Sequence, residues 1–140
     1  MRAEWFKGLH AGNGGRFYRG ARGTGAGCGS GLGALGRGIY LTWDEGMAEW
    51  FAERSGGTVY TYEIDAGLNL LDSKSAVMAE IKAIYGLALH EYCDHPGYSD
   101  AITREVKARG YEGVISDNVA EGLVIFDASQ ARLLEGGEGA

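Results

Sequence analysis

The chain has 140 residues, long enough to bury one core of ordinary size and too short for two domains of typical length. With 45% hydrophobic and 23% charged residues it has the composition of a folded protein and not of a disordered one. A formal net charge of -6 with only short positive clusters argues against a general binder of nucleic acid or anionic membranes, so any anionic ligand has to be held locally.

Glycine is the outlier, at 25 residues against one proline. Twelve of the glycines fall between Gly12 and Gly38, which marks one segment. No helical period is visible before Arg16. The run Gly12, Asn13, Gly14, Gly15 makes a turn into a short strand, Arg16 to Arg19. From Gly20 to Gly38 glycine is too frequent for helix or strand, because each one loses more backbone entropy on ordering than other residues do. Ile39 to Thr42 reads as a strand of β-branched and aromatic residues. Asp44 then caps a helix over Glu45–Arg54 whose apolar stripe includes Met47, Ala48, Trp50 and Phe51, with Ser55-Gly56-Gly57 ending it.

Thr58 to Asp65 alternates and is the clearest strand. A longer helix is expected from about Lys74 to Tyr92, closed by Pro96-Gly97. Another helix is expected to be capped by Asp100 and to stop at Gly110. Val114 to Ser116, Leu123 to Phe126 and Ala131 to Leu134 complete the strands. Residues 1–140 are read as a single domain, with 1–15 and 135–140 peripheral or frayed.

Cys28 and Cys93 are too few for a disulfide framework and read as free thiols. His90, Cys93 and His95 have no fourth partner at zinc spacing, and no metal is expected. The chain contains no apolar run of the roughly 20 residues that span a bilayer. Its opening residues lack the apolar region of a signal peptide, so the cytoplasm is the expected compartment.

Two segments carry a family likeness. Phe17-Tyr18-Arg19-Gly20, followed after a loop by Gly36-Arg37-Gly38-Ile39-Tyr40-Leu41-Thr42 and a helix with Ala48, Phe51 and Ala52, resembles the ADP-ribosyltransferase superfamily. Val59 to Asp65 with Asn69 to Asp72 resembles that family's middle strand and the loop beyond it. Gly110 to Ile115 and Leu123 to Asp127 resemble its final strands, as in small phage and toxin members. The resemblance implies an α+β fold in which two small antiparallel β-sheets form an NAD cleft flanked by helices. It also implies NAD as co-substrate and transfer of ADP-ribose to a macromolecular acceptor, a protein or a nucleic acid. NAD hydrolysis by water and a silent binding module are the alternatives.

Nicotinamide leaves NAD as a neutral base and the ribose develops oxocarbenium character, so the chemistry favours a carboxylate near that ribose. By resemblance, Arg19 and Gly20 open the NAD site, Arg19 bonding a ribose or phosphate, and Tyr40 stacks on nicotinamide. Thr42 lies two residues beyond Tyr40 on the same strand face, within reach of a ligand hydrogen bond. Arg22 and Arg37 flank the glycine-rich loop, whose backbone N–H groups suit a pyrophosphate; the loop lacks the G-K-[ST] ending of a nucleoside-triphosphate site. Each also has a plain reading: surface arginine, core tyrosine, strand-forming threonine. The acid departs from the family pattern, which has Glu five residues before Asp127. Gly122 holds that place, leaving Glu121, re-aimed by a one-residue bulge, and Asp117 in the preceding turn as candidates.

Overall fold

Asp44 and Gly56 show how local chemistry sets the elements. The Asp44 carboxylate accepts hydrogen bonds from the N–H groups of Gly46 (2.9 Å) and Met47 (3.3 Å), satisfying donors that the first helical turn leaves over. Gly56 ends the helix in the left-handed region, φ +71°, where a side chain would be strained. In the computed structural model, which describes residues 3–21, 35–84 and 98–136, that helix is α2 (Glu45–Ser55). The other elements in chain order are α1 (Trp5–Gly12), β1 (Arg16–Ala21), β2 (Ile39–Leu41), β3 (Thr58–Ile64), β4 (Leu70–Asp72), α3 (Ala76–Ile84), α4 (Tyr98–Ala108), β5 (Gly113–Ile115), β6 (Leu123–Ile125) and β7 (Ala131–Gly136). The fold is α+β, with four helices and two sheets among the described residues.

One sheet has the order β1-β3-β7 and is antiparallel throughout; the other has the order β2-β6-β5-β4. Both sheets are mainly antiparallel, as expected, with one departure: β4 and β5 run parallel, Leu70 opposite Gly113 and Asp72 opposite Ile115. α3 and α4 lie in the connection between them, and a parallel pair requires such a crossover.

Alternation along these strands divides the core. Ile39, Leu41, Leu70, Ile115, Leu123 and Ile125 point to one face, where they meet Phe17, Tyr62 and Ile64 of the three-stranded sheet and Phe6 of α1. Leu71, Val114 and Val124 point to the other face, against Met78 and Ile81 of α3 and Ile102 and Val106 of α4. The four-stranded sheet is thus buried on both sides, and its strands read as continuous apolar runs.

The N-terminal segment expected to be peripheral contributes to this core. Ala3 and Phe6 are buried, and Phe6 packs near Phe17 with ring centroids 6.0 Å apart. α1 has only eight residues and contains Gly8 and Gly12, too short a run for its period to stand out. The stripe expected of α2 is also corrected: Ala48 and Ala52 are buried, whereas Trp50 is exposed, its ring edge-to-face with Phe51 and under the Arg54 guanidinium. Gly20 explains the selection. A Cβ there would lie 1.8 Å from the Ala48 carbonyl oxygen, so α2 sits directly on the β1 backbone and only alanines fit beneath it.

Boundaries shift elsewhere. α4 begins at Tyr98, leaving Asp100 inside its first turn and not at the cap. The helix expected over 74–92 is described as α3 over Ala76–Ile84. Its remainder, with His90, Cys93 and His95, and the glycine-rich loop with Arg22, lie outside the described residues.

Candidate functional site

The two sheets touch through the isolated bridge Tyr18–Thr42, in which the Tyr18 N–H donates to the Thr42 carbonyl (2.7 Å) and the Thr42 N–H to the Tyr18 carbonyl (2.8 Å). Arg19 is the next residue on β1. Alternation puts its side chain on the same face as buried Phe17, opposite Tyr60 in the β1–β3 register, with Tyr62 beside it. Its relative exposure is 9%, low for an arginine, and that burial lowers its pKa while the neighbouring Tyr62 and Tyr60 act in the other direction. Tyr62 is 3% exposed; burial raises its pKa, and the Arg19 charge opposes the rise. The Tyr62 hydroxyl is fully buried without a hydrogen-bond partner among the described residues, an arrangement that costs about 1–3 kcal/mol. A buried guanidinium beside Tyr62 and Tyr60 gathers hydrogen-bond donors of the kind that suit an anionic or hydroxyl-bearing ligand.

Thr42 is buried and fully used by the fold. Its Oγ1 donates to the Val119 carbonyl (3.1 Å) and accepts from the Asp44 N–H (3.2 Å). This ties the end of β2 to the turn between β5 and β6, where both candidate acids sit. In that turn the Ser116 hydroxyl donates to Glu121 Oε1 at 2.6 Å and accepts from the Asn118 N–H at 3.1 Å, fixing the Glu121 carboxylate. Asp117 instead pairs with Lys74 at 2.9 Å, both side chains more than half exposed. The Asp117 hydrogen bond, the Asp117 charge and then the charges of Asp72 and Glu121 raise the Lys74 pKa.

Since β2, β4 and β5 all finish at this end of the sheet and β6 begins there, Thr42, Lys74, Asp117 and Glu121 share one corner, next to the bridge that carries Arg19. Gly122 occupies the place where the family pattern has its acid. Its φ is +63°, and a Cβ there would lie 2.1 Å from the Leu41 carbonyl oxygen, so no side chain fits. β6 then pairs in unbroken register with β2 and β5 from Leu123 onward, with no bulge to re-aim Glu121. What holds Glu121 is the turn and Ser116.

Two expected site residues lie elsewhere. The Tyr40 ring packs on the α3–α4 face of the four-stranded sheet, opposite the face shared with the other sheet. Its hydroxyl donates to the Gly36 carbonyl (2.5 Å) and accepts from the Leu35 N–H (3.0 Å), anchoring the approach to β2. Arg37 is at the far end of β2, its Nε 2.7 Å from Asp100 and its backbone N–H 2.7 Å from Thr103 Oγ1. Gly20 has the packing role under α2 already described. Sequence reasoning missed Tyr62 and Ser116. The period of two on β3 and the Ser-x-x-x-x-Glu interval in the turn were the only available signals, and neither is specific.

Comparison with known proteins returned no match to a family model, a curated protein or a solved structure. No helix among the described residues is long and apolar enough to cross a membrane.

Proposed function

We propose that this chain is an NAD-dependent mono-ADP-ribosyltransferase, moving ADP-ribose from NAD to a macromolecular acceptor, protein or nucleic acid, with release of nicotinamide. The supporting observation is the corner itself. The Tyr18–Thr42 bridge and the Thr42–Val119 hydrogen bond bring the strand of Arg19 and the turn of Glu121 to the same junction between two sheets. In this reading Arg19 and Tyr62 hold the phosphate or ribose of NAD. The Glu121 carboxylate, oriented by Ser116, stabilises the cationic ribose as the bond to nicotinamide breaks, and a nucleophile of the acceptor then attacks that carbon. NAD and ADP-ribosyl transfer enter through the family resemblance.

Nicotinamide release from NAD, measured with and without candidate proteins and nucleic acids, tests the reading. Glu121→Gln is expected to lower turnover by roughly two to three powers of ten, the scale for loss of one electrostatic stabiliser, while leaving the NAD-induced thermal shift in place. Asp117→Asn is expected to retain turnover. Equal release with and without acceptors would make water the acceptor and the protein an NAD glycohydrolase. A second reading, a binding module without turnover, is favoured by Gly122, where the family's acid has no room; a thermal shift with no nicotinamide release would select it. No shift at millimolar NAD would sink both.

A further inference from the structure

On the far side of the four-stranded sheet from Arg19, an open groove of about 620 Å³ runs between the start of β2, the end of β6 and α4. It is lined by Arg37, Gly38, Asp100, Thr103, Arg104, Lys107 and Phe126. Three cations face one carboxylate there, on a chain whose net charge is -6. Arg104 and Lys107 are exposed and three residues apart on α4, so they project from one helix face about one turn apart. Arg37 approaches from the opposite wall, and its pairing with Asp100 leaves both side chains more than half exposed, a pairing that water weakens and a phosphate can displace. Asp127, which lies within the field of Lys107, has its carboxylate engaged by the Ser129 N–H and hydroxyl.

The groove has a shaped floor. Gly36 has φ +117°, and a Cβ there would come within 2.9 Å of the Phe126 ring and 3.1 Å of Thr103 Oγ1. Gly38 lies so close to β6 that a Cβ would be 2.2 Å from the Ile125 carbonyl oxygen. The pair of glycines around Arg37 therefore brings the β2 backbone against Phe126 and α4. Its volume falls in the roughly 300–1,000 Å³ range of small-ligand sites. A groove lined by both cations and an aromatic ring offers partners for a phosphate and for the base attached to it.

We propose that this groove binds a nucleotide through its phosphate, held by Arg104, Lys107 and Arg37, with the base against Phe126. The site is separate from the Arg19 corner and does not rest on the transferase reading. The probes are adenosine 5′-monophosphate, adenosine and a short single-stranded oligodeoxyadenylate, titrated calorimetrically into the whole chain. Adenosine monophosphate is expected to bind, adenosine to bind at least about tenfold more weakly, and the double variant Arg104→Gln/Lys107→Gln to lose about tenfold or more in affinity, the loss of two charge-assisted contacts. Both substituted residues are exposed, so the variant keeps its fold, which its circular dichroism checks. An oligonucleotide that binds more tightly, with an affinity falling steeply with salt, identifies the occupant as single-stranded nucleic acid; equal affinities identify a free nucleotide. Absence of binding at millimolar nucleotide, or binding that survives the double variant, overturns the proposal.

Discussion

The corner at Arg19 and the groove beside Arg37 hold their charges in opposite ways. Arg19 is 9% exposed, on a strand paired along its length with β3, whereas the Arg37, Arg104 and Lys107 side chains are exposed on a groove rim. A buried cation is positioned by packing and costs solvation whether or not a ligand is present. A rim cation costs little and positions little. The contrast teaches that the corner is sensitive to anything that disturbs packing, while the groove tolerates substitution and reads mainly charge.

The harshest way to break that contrast is Gly20→Ala. The added methyl must displace α2 from β1, and the expected loss is about 4 kcal/mol or more, read from urea denaturation. A loss below about 1 kcal/mol would mean that α2 shifts freely and the packing around Arg19 is soft. Tyr40→Phe should cost about 1–2 kcal/mol, because it removes the acceptor for the Leu35 N–H and the donor to the Gly36 carbonyl. If the hydroxyl is dispensable, the variant will match the parent protein. Tyr62→Phe is expected to raise the stability of the ligand-free protein by up to about 1 kcal/mol, since it deletes a buried hydroxyl that lacks a partner among the described residues. It is also expected to diminish the NAD-induced thermal shift. Stabilisation with an undiminished shift would leave Tyr62 without a ligand role. Lys74→Met marks the small end: the ion pair with Asp117 is exposed on both sides, and Tm at neutral pH should not move measurably.

Much of the fold was legible because its signals are local. Asp44 and Gly56 bound α2 through backbone chemistry that acts within four residues, Gly110 stops α4 at φ +93°, and alternation marks β3. The parallel pairing of β4 with β5 was not legible, since it joins residues 43 apart and depends on how α3 and α4 cover the sheet. The site divides along the same line. Arg19 stood out by type and position, but its burial follows from Tyr60 and Tyr62 across the register, which no local pattern encodes. Tyr40 and Arg37 were read correctly as elements of a strand and its approach, yet only the tertiary structure assigns them to the α4 side. Gly122 shows the reverse: the sequence departs there from the pattern it resembles, and the Leu41 carbonyl supplies the steric reason.

The Tyr18–Thr42 bridge has a consequence for motion. Apolar contacts across the sheet interface, such as those of Phe17 and Tyr62 with Leu41, are non-directional and survive small slips. The bridge consists of two backbone hydrogen bonds outside any ladder. Splaying of the sheets breaks that pair, while the β5–β6 ladder stays closed. Hydrogen exchange at the Tyr18 and Thr42 amides then times the opening of one sheet from the other, and exchange at Val114 and Val124 times the unfolding of the whole.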